Sequence, residues 1–250
     1  MASLYDKEMA KVYDKIYQGF IDYKTEYQFY KHICNLYRSQ KVLEMGCGTG
    51  NLSSSFSKDF KLYVGLDYSD SMLGIALEKN PLGKYIQADM RCFDVNQKFD
   101  AVLITGRSTS YLMDDDDVMN TFRRVYSTLE NGGVFVFDCI DAKLFMPYIQ
   151  KNSQVVHVSL CDAKTYERSS TWIREPSQRY DLVNWEAHYY EIVNSEKVLL
   201  GTDKSIFRVF TQSEIMHLLK NAGFEILDVQ YRKTYAFDSF VVIAKKVGNH

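Results

Sequence analysis

The residues best suited to chemistry lie in a glycine turn and on two acids that follow it. The stretch Lys41-Val42-Leu43-Glu44-Met45-Gly46-Cys47-Gly48-Thr49-Gly50 begins as a short apolar run and breaks into that turn. Glycines at Gly46, Gly48 and Gly50 allow a tight turn and let the backbone come close to a ligand. Seventeen residues beyond Gly50, the run Leu62-Tyr63-Val64-Gly65-Leu66-Asp67 ends on a carboxylate. An acid there can accept hydrogen bonds from a ribose diol. Asp89 follows the run Lys84-Tyr85-Ile86-Gln87-Ala88 and could accept from an adenine amino group. Met90 could contact such a ring through its thioether. A lone glycine turn is equally an ordinary strand-to-helix connection. Glu44-x-Gly46-x-Gly48-x-Gly50 with Asp67 at the next strand end is more specific. A NAD-binding turn usually reads GxGxxG, and a phosphate loop needs a Gly-Lys-Ser/Thr ending that is absent.

These residues need a scaffold that brings strand ends together. The runs 41–45, 62–67, 84–88, 99–104 and 134–138 read as strands, with helical stretches at 51–60, 70–79 and 114–129 between them. Ser69 is the expected N-cap of the second, and Asn131-Gly132-Gly133 the expected stop of the third. Repeated strand–helix units predict a parallel sheet with helices on both faces, whose ligands bind outside the carboxyl ends of the strands. Glu44 to Gly50, Asp67, Asp89 and Thr105 to Tyr111 all fall at those ends. The acids Asp114, Asp115, Asp116 and Asp117 suggest a metal cluster, but they read better as the first turn of a helix, where acids oppose the macrodipole. No metal is expected.

Residues 4–38 read as two helices separated at Gly19, with Leu4, Met9, Val12 and Ile16 at helical spacing. Tyr5, Tyr13, Tyr17 and Tyr23 line this segment, either as packing or as a flap that brings phenol oxygens over a ligand. From 154 the pattern changes to alternating strands with turns at Asp162-Ala163 and Asn194-Ser195. This predicts an antiparallel cap over 154–205, inserted into a core of 1–153 and 206–250, with 1–38 as a helical flap. Trp172, Trp185, His188, Tyr189 and Tyr190 lie on the cap; His188 is either a structural residue or a base. Thr211-Gln212-Ser213-Glu214 is a capping box, Gly223 a C-terminal stop, and 224–229 with 237–244 two closing strands.

With 250 residues, 46% hydrophobic and 25% charged, the chain suits one large domain or one with an inserted cap. A net charge of -2 gives no basic excess for nucleic acid. No apolar run approaches the roughly 18 residues of a membrane span, and no signal peptide is visible. The five cysteines lack metal-ligand spacing, and reduced thiols in a cytoplasmic protein are expected. The expected partner is a small-molecule acceptor, with neither nucleic acid nor membrane; a homodimer is compatible.

These motifs resemble the class I S-adenosylmethionine (SAM)-dependent methyltransferases, and among them the amino-sugar N,N-dimethyltransferases of macrolide deoxysugar pathways. Leu43-Glu44-Met45-Gly46-Cys47-Gly48-Thr49-Gly50 matches their LDVACGTG. Gly65-Leu66-Asp67-Tyr68-Ser69-Asp70-Ser71-Met72-Leu73 matches GLELSxDML, and Asp89-Met90-Arg91-x-Phe93 matches DMRDF. Ser108-x-Ser110-Tyr111-Leu112 lines up with SSxG(H/Y)L, and 206–210 with a strand reading RITLF. Two motifs depart: the family's Glu-Pro-Trp-Trp is Asp138-Cys139-Ile140-Asp141 here, and its Phe-Ser is Gly106-Arg107. The resemblance implies a Rossmann-like α/β fold, a seven-stranded mostly parallel methyltransferase sheet with an inserted antiparallel β cap. It implies S-adenosyl-L-methionine as cofactor, held by Tyr13, Tyr23, Glu44, Gly46, Cys47, Gly48, Asp67, Tyr68, Met72, Asp89, Met90 and Thr105. Tyr5 and Tyr111 are expected beside the methyl group, with His188 a candidate base. Three readings follow: N-methylation of a small-molecule amine, small-molecule O-methylation, and SAM binding without turnover.

Overall fold

The computed structural model describes residues 7–176, 179–233 and 237–248. Strands β1 (Lys41–Met45), β2 (Leu62–Asp67), β3 (Lys84–Gln87), β4 (Phe99–Ile104) and β5 (Leu129–Ile140) pair in parallel. β1, β2 and β4 are near-continuous apolar runs because both faces of a parallel sheet are covered. Two further strands, β10 (Phe224–Lys233) and β11 (Asp238–Lys246), form an antiparallel hairpin whose second strand pairs with β5. The sheet order is β10-β11-β5-β4-β1-β2-β3.

Alternation along β5 fills both faces. Phe135 and Phe137 enter a core with Val118, Phe122 and Val125 of α5 (Asp115–Thr128) and Ile215 and Leu219 of α7 (Gln212–Asn221). Val134 and Val136 enter the opposite core, with Tyr30 and Ile33 of α2 (Tyr23–Leu36) and Phe56 of α3 (Ser53–Asp59). Truncating one of these phenylalanines to alanine costs about 3–5 kcal/mol in a well-packed interior.

A second sheet, order β6-β7-β8-β9, is antiparallel and comprises Gln154–Cys161, Lys164–Arg174, Leu182–Val193 and Glu196–Arg208. Its Asp162-Ala163 and Asn194-Ser195 turns have positive φ at both residues, the primed geometry that matches strand twist. Its inner face, with Trp172, Val183, Trp185, Ala187 and Phe207, packs on α1 (Lys7–Phe20) and α6 (Ala142–Lys151). Arg208, buried at the end of β9, pairs with Asp115 at 2.8 Å and Glu214 at 3.5 Å, pinning this sheet to α5 and α7.

Several local expectations change. Gly19 lies inside α1 rather than between helices. A Cβ there would stand 2.5 Å from Ser159 Cβ, so this glycine allows close approach to β6. The break comes at Asp22, whose side chain accepts the Thr25 N–H and caps α2. α5 stops at Thr128, not at Asn131-Gly132-Gly133. Those residues bulge out of β5, with Gly132 at φ 79° and a register shift opposite Phe99 and Ala101. Helix α6 is absent from the sequence reading because Pro147 interrupts its pattern, though Asp141 caps it. Residues 206–208 belong to β9 of the second sheet, and Phe210 alone bridges to the core at Asp141. Ser69 caps α4 (Asp70–Lys79), and the Thr211–Glu214 capping box opens α7.

Candidate active site

β1 leads to β2 on one side and lies against β4 on the other, so strand order reverses between β1 and β4. Ligand crevices form outside the carboxyl ends of strands at such a point. A cleft of about 640 Å³ lies there, walled otherwise by α1 and the inner face of the second sheet. It is lined by Tyr13, Tyr23, Glu44, Gly46, Cys47, Gly48, Asp67, Tyr68, Met72, Asp89, Met90, Thr105 and Tyr111.

The glycine turn folds back on β2: the Gly46 and Cys47 N–H groups donate to Leu66 O at 2.7 and 3.0 Å. Gly46 has φ 74°, and a Cβ there would come within 2.4 Å of Ser108 Oγ in the loop after β4. Gly48 has φ 55° and nothing within 4 Å of a would-be Cβ, so its backbone is an open cradle in the cleft wall. Its N–H donates to Asp67 Oδ2 at 2.8 Å, and Ser69 N–H donates to Oδ1 at 2.9 Å. Burial pushes the Asp67 carboxyl up, against the backbone hydrogen bonds that lower it.

Glu44 is buried beneath the turn. Tyr63 OH donates to its Oε2 at 2.5 Å and Thr105 Oγ1 to its Oε1 at 2.7 Å. Burial raises its pKa to about 7 despite those two donors. Asp89 reaches the cleft with its carboxylate engaged by the Arg91 guanidinium, at 3.0, 3.1 and 2.6 Å. Arg91 also pairs with Asp117 at 3.2 Å. The aspartate run is thereby distributed: Asp114 caps α5, Asp115 meets Arg208, and Asp117 meets Arg91. Among the described residues, no group of His, Cys, Asp and Glu is arranged to hold a metal ion.

Of the remaining expected residues, one is not described and one faces away from the cleft. Tyr5 lies outside the described residues. His188 requires correction as a candidate base. β8 buries Val183, Trp185, Ala187 and Tyr189, so alternation puts His188 on the opposite face from the cleft-lining Trp185. There its Nε2 is 3.7 Å from Glu186. Tyr189 is fully buried beneath the inner face rather than lining the cleft.

The structure also brings to the cleft Asp138, to which the sequence motifs assigned no role. Asp138, at the carboxyl end of β5, lines the cleft and is 5% exposed. Its Oδ1 accepts the Arg107 N–H at 2.8 Å. Arg107 stands at φ 66° after Gly106 at φ 64°. Burial raises the Asp138 pKa to about 6, opposed by the Arg107 charge. The strand-end rule that singled out Asp67 and Asp89 would have found it. Trp172 and Trp185 line the same cleft, stacked at 5.6 Å and 12°. Their buried indole N–H groups have no hydrogen-bond partner among the described residues.

Residues 42–133 match a methyltransferase-domain family. A methyltransferase of Geobacillus sp. (strain WCH70) is 31% identical over 138 residues, 54% of this chain. The chain spans about half that relative's length, 53%. The dTDP-3-amino-3,4,6-trideoxy-alpha-D-glucopyranose N,N-dimethyltransferase of Streptomyces venezuelae is 28% identical, with 89% of this chain and 92% of that one covered. The crystal structure of Streptomyces venezuelae DesVI superimposes with a TM-score of 0.79 at 26% identity, covering 96% and 98% of the two chains. With the glycine cradle and Asp67 in place, fold and matches support a class I SAM-dependent methyltransferase. Within that class the chain resembles the sugar N-methyltransferases.

The residues present fit the cofactor. Gly48 leaves open space where a Cβ would project, and Asp67 is held by two backbone donors at the ribose end of such a site. Met72 and Met90 add apolar wall to the same cleft.

Proposed function

We propose that the chain methylates an amine on a sugar-like small molecule. The observation that carries this reading is the stacked Trp172–Trp185 pair that lines the cleft. Indole faces attract an ammonium group. The N,N-dimethyltransferases among the relatives support an amine over a hydroxyl acceptor.

When bound, SAM supplies an electrophilic methyl on a positively charged sulfur. In this reading Asp67 accepts from the ribose diol and Gly48 lets the backbone approach. Glu44, through Tyr63 and Thr105, fixes the floor of the turn, and Tyr13, Tyr23, Tyr68, Cys47, Gly46, Met72 and Met90 enclose the cofactor. Asp89, tied to Arg91, presents its remaining acceptor capacity to the adenine end. Tyr111 stands beside the acceptor. The protein's main contribution is alignment and exclusion of water, which can supply roughly 7–11 kcal/mol of the barrier.

The test is transfer of labelled methyl from SAM to a panel of amino sugars, free and dTDP-linked, and to the same sugars with hydroxyl in place of amine. The expected outcome is label on nitrogen. Label on the hydroxyl sugars alone would establish O-methylation, and SAM binding without transfer to any acceptor would establish a non-catalytic binder.

A further inference from the structure

Asp138 is the charged group at the acceptor end that the assignment above leaves unused. It sits at the carboxyl end of β5, beyond the last β4 pairing at Ile104↔Phe137, and on the α2 face of the sheet with Val134 and Val136. Oδ1 is committed to the Arg107 N–H; Oδ2 has no hydrogen-bond partner among the described residues. The backbone is anchored as well, since Thr109 Oγ1 donates to Asp138 O. Residues in the left-handed region persist only where the surroundings over-determine them. The Gly106-Arg107 turn does so with its N–H aimed at this carboxylate.

The groups facing Asp138 come from every neighbouring element. Arg107 lies on the loop after β4, Glu26 and Tyr30 on α2, and Arg232 on β10. Glu26 and Arg232 are closed on each other by two hydrogen bonds of 2.9 and 3.0 Å. Trp172 and Trp185 line the same cleft. A carboxylate with one oxygen fixed and the other open to an aromatic-walled chamber suits an ammonium group.

We propose that Asp138 Oδ2 holds the acceptor ammonium and takes its proton before methyl transfer. This rests on the amine reading above. The ammonium N–H bond breaks with its electron pair left on nitrogen, and the proton moves to Oδ2, leaving a neutral carboxylic acid. The freed pair forms the new nitrogen–carbon bond as the methyl–sulfur pair departs with sulfur. Asp138 then returns its proton to solvent.

Two measurements test this. The first needs no turnover: protein labelled with 13C at the aspartate side-chain carboxyl, with the Asp138 resonance assigned by its loss in Asp138→Asn. The resonance should titrate near pH 6. Adding 3-amino-3-deoxy-D-glucose should lower that midpoint, and D-glucose should leave it in place. A midpoint unmoved by the amino sugar overturns the proposal. The second uses Asp138→Asn, which keeps an acceptor oxygen for the Arg107 N–H and so preserves the turn. With the amine identified by the labelled-methyl assay, kcat should fall roughly hundredfold, within the range for a lost general base, while SAM affinity stays unchanged. The rise of wild-type kcat/KM through about pH 6 should also vanish. An Asn variant that keeps both rate and pH profile would show that Asp138 only props the turn. A wild type that methylates hydroxyls and no amine removes the amine reading instead, and the carboxyl titration still decides whether Asp138 holds an ammonium.

Discussion

Glu44 is a buried acid whose ionisation works against the folded apo-protein. Its folded pKa is about 7 against an ordinary value of 4.5. Below about pH 4.5 the carboxyl is neutral in both folded and unfolded chains. Between there and about pH 7 the unfolded chain releases a proton that the folded one keeps, so stability falls as pH rises through that window. At about 1.36 kcal/mol per pKa unit, the loss is on the order of 3 kcal/mol. Glu44→Gln removes the charge and keeps an acceptor oxygen. Urea unfolding of apo-protein should therefore decline less from pH 4.5 to 7 in the variant than in wild type. Equal declines would mean that Glu44 ionises without penalty. Asp67 gives the matching test of affinity. Asp67→Ala should weaken SAM binding by about 1.5–3 kcal/mol, the range for a hydrogen bond to a charged group; calorimetry on a folded variant with unchanged affinity would refute its assignment. Asp67 and the glycines were legible because a strand end and its turn are local in sequence. Asp138 obeys the same rule, yet its role needs the cap, whose placement no local pattern encodes.

At the level of elements, strand and helix identities followed from periodicity, while contacts between them did not. His188 shows why. The buried positions Val183, Trp185, Ala187 and Tyr189 are all odd-numbered, which puts His188 outside; that parity is visible only once the buried face is known. The aromatic pair Tyr189-Tyr190, at a register shift in β8, obscured it further. Gly19 shows the converse: a residue type that usually breaks helices is here a contact surface. Gly19→Ala would drive a methyl into Ser159 Cβ, where 2.5 Å is available. Overpacking typically costs about 1–3 kcal/mol. Because α1 lies outside the main sheet, the variant should expose α1 to proteolysis and weaken SAM binding while the sheet's denaturant transition moves little. Wild-type protease resistance would mean that β6 yields to the methyl.

Across the whole molecule, the two sheets enclose one cleft, and α1 touches both of its ends. Asp14 accepts from Thr49 Oγ1 of the glycine turn at 2.6 Å and pairs with Lys79 of α4. One turn further along, Tyr17 OH accepts from Arg168 of β7 at 2.6 Å. Tyr13, stacked on Tyr17 at 4.0 Å, lines the cleft beside these anchors. If this helix, fastened to both walls of the cleft, acts as a common door, traffic through the site should have a sequence. In that order the cofactor would load with the helix displaced, the acceptor chamber would be completed on its return, and the spent cofactor would leave last. Such gating often sets turnover. The expected pattern is compulsory-order kinetics, with S-adenosylhomocysteine competing against SAM but not against the acceptor. Loss of the Asp14 fastening in Asp14→Ala should speed its release, whereas an unchanged release rate would mean that the cofactor comes and goes without disturbing α1.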